Sequence, residues 1–130
     1  MKILVADDQA YNREILSFIL EDYGHDHVHA CNGREACELF ESVDDIDLVL
    51  MDVNMPELDG YLATKEIKKA CTDRFVPVIF VTSLDDEDTL DKCLAVGGDD
   101  FIPKPLNEVI LIAKLKAHER TMKLYNELRS

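Results

Sequence analysis

The stretch Lys2-Ile-Leu-Val-Ala-Asp-Asp8 begins with a short apolar run that stops at two carboxylates. The same pattern recurs further along the chain, where apolar runs stop at Asp52, at Thr82-Ser83 and at Pro103-Lys104-Pro105. A run of about four to eight apolar residues between breakers is typical of a strand buried on both faces. If these strands are parallel, their carboxyl ends share one edge of the sheet. Three carboxylates, a hydroxyl and an ammonium group then meet at that edge.

Length and composition predict one folded domain. The chain has 130 residues, and its hydrophobic content of 47% is sufficient for a single core. It has no apolar run of about eighteen residues, so we expect no membrane span. Met1 leads directly into the first apolar run, without the charged region and cleavage site of a signal peptide. We therefore expect a cytoplasmic protein.

Charge and cysteine content argue against nucleic-acid binding, disulfide bonds and a cysteine zinc site. The net charge of −13 arises from 14 basic and 27 acidic residues, and it would repel a phosphate backbone. We therefore expect no direct nucleic-acid binding by this chain. The 4 cysteines form no Cys-x-x-Cys pair, which in a cytoplasmic chain favours free thiols over disulfides or a zinc site.

Strand-like and helix-like segments alternate along the whole chain. The alternation, at roughly 25 residues per unit, predicts an open parallel sheet with helices on both faces. Asn32 is a good N-cap for the second helix, which continues through Phe40. The predicted strands are residues 2–6, 27–30, 48–51, 77–81 and 100–102, and the other predicted helices are residues 10–23, 61–70, 85–96 and 106–128.

The residues at the strand ends suggest a metal and phosphate site. In the common strand order 2-1-3-4-5, ligands bind where the order reverses, between the first and third strands. Asp7, Asp8 and Asp52 follow those two strands. Three carboxylates repel one another unless a cation neutralises them, and hard oxygen ligands suit Mg²⁺, which commonly bridges carboxylates to a phosphoryl group. The pattern therefore predicts a divalent metal and a phosphate ligand.

The remaining strand-end residues complement this chemistry. Lys104, held between two prolines, could clamp a phosphoryl oxygen, and Thr82 adds a hydroxyl donor. Asp52 stands alone after its strand and is the natural nucleophile for an aspartyl phosphate. Taken singly, such residues are more often turn formers, helix caps or solvated side chains. Their joint occurrence at strand ends favours a functional site.

Four motifs in combination resemble the receiver domain of two-component response regulators, including the chemotaxis receivers. They are residues 3–8, residues 49–56 with 59–60, residues 81–83 and residues 101–105. The resemblance extends to about residue 117. It implies an α/β, flavodoxin-like fold with a doubly wound five-stranded parallel sheet in the order 2-1-3-4-5 and five helices.

The resemblance also implies a role for each site residue. Asp52 would accept a phosphoryl group from a sensor histidine kinase or a phosphotransfer protein. Asp8, Asp52 and the backbone carbonyl of Asn54 would hold Mg²⁺ or Mn²⁺. Asp7 would act mainly through a metal-bound water, and Lys104 would pair with Asp52 or with its phosphate. The chain would catalyse only its own phosphorylation and dephosphorylation, so we do not expect an enzyme acting on other substrates.

Thr82 and Phe101 are the switch residues that the resemblance implies. Thr82 would turn toward the phosphoryl group, and Phe101 would move into the vacated space. Phosphorylation would thereby repack the surface near the fourth helix and the fifth strand. Because Phe101 has no hydroxyl group, this response must rest on packing. The alternative is that Phe101 is an ordinary core residue.

Two other classes share parts of this pattern. A flavodoxin-like electron carrier needs a phosphate-binding loop after the first strand, where Asp7 and Asp8 would repel the flavin phosphate. A phosphatase of the haloacid dehalogenase class also forms an aspartyl phosphate, but it normally has a second acid two residues after the nucleophile. Asn54 occupies that place here. Both classes are therefore less consistent with the sequence than a receiver.

His25, His27 and His29 alternate along the second predicted strand and could share one of its faces. Three imidazoles so placed could bind Zn²⁺. However, the second strand would lie at the sheet edge, where polar side chains are ordinary. The sequence therefore favours a polar edge strand over a metal site.

The last predicted helix is about twice the mean length of a globular helix. We expect residues 1–130 to form a single receiver domain, with residues 117–130 extending the last helix toward an output domain. Tails of this kind resemble those that join receivers to cyclic-di-GMP synthesis or hydrolysis domains. The apolar residues of this tail could form a two-helix contact in a phosphorylation-dependent homodimer, or the end could be solvated. These residues are Met122, Leu124, Tyr125 and Leu128.

Overall fold

The computed structural model describes residues 1–53, 55, 57–71, 74–83 and 87–129, with side chains to residue 128. All neighbouring strands pair in parallel in the order β2-β1-β3-β4-β5, which confirms the predicted fold class. The fourth strand begins at Val78, one residue later than predicted, and the second begins one residue earlier, at Asp26. The strands are β1 (Lys2–Ala6), β2 (Asp26–Ala30), β3 (Leu48–Met51), β4 (Val78–Thr82) and β5 (Asp100–Pro103).

The helices follow the strands in alternation. Asn32 caps the second helix as predicted, because its side chain accepts a hydrogen bond from the Glu35 backbone N–H at 2.8 Å. Asp59 caps the third helix in the same way, through the Leu62 N–H at 2.9 Å. The predicted start of the fourth helix, Asp85, lies outside the described residues. The helices are α1 (Ala10–Asp22), α2 (Gly33–Ser42), α3 (Gly60–Ala70), α4 (Glu87–Ala95) and α5 (Glu108–Arg129).

Helices cover both faces of the sheet, which explains why the strands read as continuous apolar runs. Successive strand side chains point to opposite faces. Ile3 and Val5 join the core beneath α1 and α5, whereas Leu4 and Ala6 join the core beneath α2, α3 and α4. All four side chains are at most 2% exposed. Burial of each large apolar side chain contributes about 1.5–3 kcal/mol.

Two side chains of α5 attach it to β5. The Lys114 ammonium lies 2.8 Å from Asp100 Oδ1, and His118 Nε2 lies 2.8 Å from Asp100 Oδ2. Burial alone would raise the pKa of Asp100, but the hydrogen bonds from Lys114 and His118 hold it below its ordinary value. These contacts fix the first half of the last helix beside the edge strand.

The second half of α5 packs partly on its own domain. Met122 is only 6% exposed, and the Tyr125 ring lies against the Phe75 ring with centroids 5.7 Å apart. Leu124 and Leu128 are 61% and 87% exposed. Of the four apolar residues predicted for a two-helix contact, two are therefore used within the domain. None of the described helices is long and apolar enough to cross a membrane.

Candidate metal centre

The carboxyl ends of β1 and β3 bring three carboxylates together. Asp7 and Asp8 follow β1, Asp52 follows the neighbouring β3, and one carboxylate oxygen from each lies within 4.8 Å of the others. Asp7 and Asp52 are buried, whereas Asp8 is exposed. Within the described part of the chain, this is the one group of three or more acidic, histidine or cysteine residues that could hold a metal ion. Its oxygen donors are the type that Mg²⁺ prefers.

Lys104 lies over this cluster. Its Nζ is 3.0 Å from Asp7 Oδ2 and 3.4 Å from Asp52 Oδ2. The Lys104 backbone N–H donates to the Thr82 carbonyl at 2.9 Å, which fixes the lysine to the end of β4. The resemblance predicted a pairing of Lys104 with Asp52, and the structure shows that the contact with Asp7 is the shorter of the two.

The pKa shifts indicate that the site favours more positive charge than Lys104 supplies. Burial raises the pKa of Asp52, the Lys104 charge lowers it and the Asp7 charge raises it again, so that the pKa lies above its ordinary value. Burial would lower the pKa of Lys104, but the hydrogen bond to Asp7 and the charge of Asp52 hold it above its ordinary value. Each group retains its proton longer than it would in water. A divalent cation would satisfy the same demand.

The Asp52 carboxylate is held in one orientation by the backbone. Its Oδ1 accepts a hydrogen bond from the Val53 N–H at 2.8 Å, so that Oδ2 faces Lys104. The Asp52 N–H in turn donates to the Ala6 carbonyl at 2.9 Å, which ties the loop to β1. Asp7 Oδ1 accepts from the Gln9 N–H at 2.9 Å at the entrance to α1. The two buried carboxylates therefore have few conformational choices.

Two glycines allow the loop after β3 to lie close to neighbouring backbone. A Cβ on Gly60 would lie 2.0 Å from the Asp52 carbonyl oxygen, and a Cβ on Gly33 would lie 1.9 Å from the Leu58 carbonyl oxygen. Both distances are far below van der Waals contact, and both obstacles are backbone atoms that cannot rotate away. The sequence reasoning did not identify Gly33 as a site residue. The only signal was its place at the start of α2, after the Asn32 cap.

Arg13 is a second contact that the sequence did not predict. Its Nη1 donates to the Asp7 carbonyl oxygen at 2.5 Å from the first turns of α1. A single arginine on an amphipathic helix carries no local signal for such a contact. This hydrogen bond fixes the backbone of Asp7, one of the three clustered acidic residues.

The predicted switch residues lie on the two strands beyond β3. Thr82 is buried at the end of β4, and Phe101 is half-buried on β5, packed against the core beneath α2, α3 and α4. Phe101 lies opposite Phe80 in the sheet register. Asn54, predicted to offer its carbonyl to the metal, lies outside the described residues.

Two of the three alternating histidines lie close together in the structure, and the third has a different partner. His27 and His29 lie on β2 with His27 Nδ1 and His29 Nε2 only 2.8 Å apart, whereas His25 precedes the strand. His25 Nδ1 instead lies 3.0 Å from the Met1 amino group. A zinc site made of all three imidazoles is therefore not formed, and β2 lies at the sheet edge as predicted.

Comparisons with known proteins agree with this arrangement. A family model described as the response regulator receiver domain matches residues 3–116. The probable transcriptional regulator ycf27 of Cyanidium caldarium is 38% identical over 126 residues, which cover 95% of this chain and 48% of that protein. The transcriptional regulatory protein CpxR homolog of Haemophilus influenzae is 40% identical over 116 residues, which cover 89% of this chain and 49% of that protein.

A solved structure gives the same result in three dimensions. The crystal structure of a two-component response regulator from Clostridium difficile superimposes with a TM-score of 0.87 at 33% sequence identity. The match covers 94% of this chain and 98% of that one. This chain spans about half the length of the curated relatives described above.

Proposed function

This chain belongs to the response regulator receiver family, and on that premise we propose that it is a phosphoacceptor switch that takes a phosphoryl group onto Asp52. The donor is a histidine kinase or a phosphotransfer protein. The observation that carries this proposal is the convergence of Asp7, Asp8 and Asp52 within 4.8 Å, with the Lys104 ammonium in contact with two of them. A structural role alone would not require three carboxylates at one point.

The donor set fits a hard divalent cation, Mg²⁺ or Mn²⁺. Asp8 and Asp52 would hold it directly and Asp7 through a water molecule, with the Asn54 backbone carbonyl as a further ligand. The bound ion would supply positive charge to neutralise the transferring phosphoryl oxygens. The exposed Asp8 leaves the ion accessible from solvent, as entry of a phosphorylated donor requires.

The residues of the chain supply orientation and charge. The Val53 N–H holds one oxygen of Asp52, so the other is presented to the phosphorus atom. That oxygen attacks the phosphohistidine, the new O–P bond forms, and the P–N bond breaks with its electron pair returning to the imidazole. Lys104 lies beside the attacking oxygen and stabilises the negative charge of the product.

The response to phosphorylation passes through Thr82 and Phe101. Thr82 is the last residue of β4, and Phe101 lies on the adjacent strand β5. A movement of the Thr82 side chain can therefore alter the packing around Phe101. Movement of the half-buried Phe101 changes the surface near α4 and β5. This carries the signal outward without a hydrogen-bonding side chain at position 101.

The context of the domain is also part of the proposal. We place the chain in the cytoplasm, as the receiver portion of a longer regulator in which residues 117–130 lead toward an output domain. The relatives are named transcriptional regulators, which favours a DNA-binding output over the cyclic-di-GMP-related domain that the tail suggested. The receiver itself would not bind nucleic acid, because its net charge is −13. Phosphorylation-dependent homodimerisation of the receiver is the simplest coupling to such an output.

Labelling with a small acyl phosphate tests the assignment. Wild-type protein with Mg²⁺ should take up one phosphoryl group, Asp52→Asn should take up none, and the exposed control Asp22→Asn should behave as wild type. Asp8→Asn should raise the Mg²⁺ concentration required for labelling. Equal labelling of wild type and Asp52→Asn would refute the phosphoacceptor assignment. Sustained release of phosphate from unrelated monoesters would indicate a phosphatase instead.

A further inference from the structure

Four polar side chains meet between β2 and α1, away from the carboxylate cluster. His27 and His29 are two residues apart on a strand and share one of its faces. Ser17 and Glu21 are four residues apart on α1 and face them. We call these four residues the histidine cluster. Its central feature is the short distance between His27 Nδ1 and His29 Nε2, which is 2.8 Å, with the two rings at 76° to each other.

The hydrogen-bond partners assign the protons in this cluster. Glu21 Oε1 lies 2.8 Å from His27 Nε2, so that nitrogen carries a proton and Nδ1 presents a lone pair. The Ser17 hydroxyl donates to the Arg13 carbonyl at 2.8 Å, so its oxygen accepts from His29 Nε2 at the same distance. The single proton on His29 Nε2 is therefore shared between two acceptors at 2.8 Å, Ser17 Oγ and His27 Nδ1.

We propose that the histidine cluster binds a divalent transition-metal ion, with His27 Nδ1 and His29 Nε2 as ligands and the ion in place of the shared proton. The observed separation favours one geometry. Two nitrogens at roughly 2.0–2.1 Å from a metal are about 2.8–3.0 Å apart when they subtend 90°, but about 3.3–3.4 Å apart in a tetrahedral site. The separation of 2.8 Å fits the first case. An ion that accepts ligands at 90°, such as Ni²⁺ or Cu²⁺, therefore requires less movement of the two nitrogens than tetrahedral Zn²⁺ does, and the rings would rotate from their hydrogen-bonded orientation to direct both lone pairs to it.

The surroundings support ligation by these two nitrogens. Metal-binding histidines usually donate their other N–H to a carboxylate, and Glu21 already accepts from His27 in this way. The net charge of −13 attracts cations to the surface.

When His29 Nε2 binds a metal, the proton that it carried is held by the other ring nitrogen, Nδ1. A neutral imidazole that binds a metal through Nε2 carries its proton on Nδ1. His29 Nδ1 is buried, and within the described residues it has no hydrogen-bond partner. Either tautomer thus leaves one unmet group at that atom, and the hydrogen bond lost on ligation is the one that Ser17 Oγ accepts from His29 Nε2. The unmet group lowers the expected affinity, because a buried polar group without a partner costs free energy.

The competing nitrogen pair is the Met1 amino group and His25 Nδ1, which lie 3.0 Å apart. His25 is therefore the matched control, because it is a histidine close to the cluster in sequence but with a different partner. The exposed thiol of Cys31 is a further metal-binding group, and Cys31→Ser removes it from every sample. Excess Mg²⁺ occupies the carboxylate cluster, which prefers hard ions.

Titration with Ni²⁺, followed by ¹H–¹⁵N NMR and calorimetry in excess Mg²⁺, tests the proposal. The full chain should bind one Ni²⁺, with paramagnetic broadening centred on residues 17–21 and 27–29. His27→Gln and His29→Gln should each weaken binding at least tenfold, Glu21→Gln should weaken it about tenfold, and His25→Gln should change it less than twofold. Circular dichroism spectra should show that each variant is folded.

The opposite results would overturn the proposal. Loss of binding in His25→Gln but not in His29→Gln would assign the ion to the amino terminus. Equal binding by wild type and all variants, or broadening centred on residue 52, would mean an adventitious ion only. Because the histidine cluster is separate from Asp52, none of these results depends on whether Asp52 accepts a phosphoryl group.

Discussion

Replacement of Asp52 by asparagine should stabilise the protein when no divalent metal is present. Asp52 is 7% exposed and has one carboxylate oxygen within 4.8 Å of oxygens of Asp7 and Asp8, and among the described residues Lys104 forms the ion pairs with this cluster. Asparagine keeps an acceptor for the Val53 N–H and removes one of the buried negative charges. Lys104 keeps its shorter contact, with Asp7 at 3.0 Å.

The expected gain follows from the cost of burying charge. Replacing buried ionic groups by neutral ones of similar volume stabilises proteins by up to about 1–4 kcal/mol. Loss of the weaker contact with Lys104, at 3.4 Å, offsets part of this. We therefore expect a gain of about 1–2 kcal/mol. For 130 residues, with an unfolding entropy of about 2.1 cal/mol/K per residue, this raises Tm by about 4–7 °C.

The extra stability of Asp52→Asn over wild type should decrease at low pH and when Mg²⁺ is added. Because burial raises the pKa of Asp52, the folded wild type gains stability as pH falls from that raised pKa toward the ordinary value of 3.8. The advantage of the variant is therefore full above the folded pKa and narrows below it. Mg²⁺ at about ten times its Kd should stabilise the wild type by about 1.4 kcal/mol and largely cancel the difference.

Thermal unfolding followed by circular dichroism, with chelator or with Mg²⁺, checks this prediction. Asp22→Asn provides an exposed control and should leave Tm within about 2 °C of wild type, because surface substitutions change stability little. The reasoning is wrong if Asp52→Asn is no more stable than wild type at neutral pH in chelator. It is equally wrong if the advantage grows on acidification.

Three further predictions concern the end of α5, the approach of Gly33 to the loop after β3 and the titration of Asp100, and each is tested by denaturant unfolding. Met122→Ala truncates a side chain that is 6% exposed and should lower the free energy of unfolding by about 2–3 kcal/mol. Leu124→Ala, at a position 61% exposed, should change the free energy of unfolding by no more than about 0.5 kcal/mol. Equal effects would show that the end of α5 does not pack on the domain. Gly33→Ala places a Cβ 1.9 Å from a backbone carbonyl oxygen of the loop after β3 and should cost about 1–3 kcal/mol; an unchanged midpoint would contradict the close approach. Burial alone would raise the pKa of Asp100, but hydrogen bonds from two α5 side chains hold this pKa below 3.8. The Asp100 carboxylate therefore stabilises the fold at neutral pH, and this stabilisation is lost as pH falls through the lowered pKa. Asp100→Asn should lower the free energy of unfolding at neutral pH and make it less dependent on pH in acid, and a pH profile parallel to that of wild type would refute this.

Sequence patterns were sufficient for the strands and for the chemistry at their ends. A strand buried on both faces must be apolar along its length, so the change to a polar residue marks its carboxyl end within the local sequence. That is why β1 and β3 match their predicted bounds and why Asp7, Asp8 and Asp52 could be grouped from the amino-acid sequence. The parallel order then followed from the alternation with helices, together with the resemblance to receivers.

Sequence patterns were less informative wherever two distant segments compete for the same contact. Lys104 lies nearer to Asp7 than to Asp52, a choice between partners 97 and 52 residues away. His25 pairs with the Met1 amino group instead of joining the other two histidines.

The set of strands, their apolar faces and the residue types at the carboxyl edge can therefore be read from the amino-acid sequence, because these depend on short-range periodicity. The contacts among those residues, the packing of Met122 on the domain and the need for a glycine at position 33 are visible only in three dimensions. Such contacts arise from the packing of helices and loops that are distant in sequence, and no local pattern records their distances. The short separation of His27 and His29 between β2 and α1 belongs to this second class.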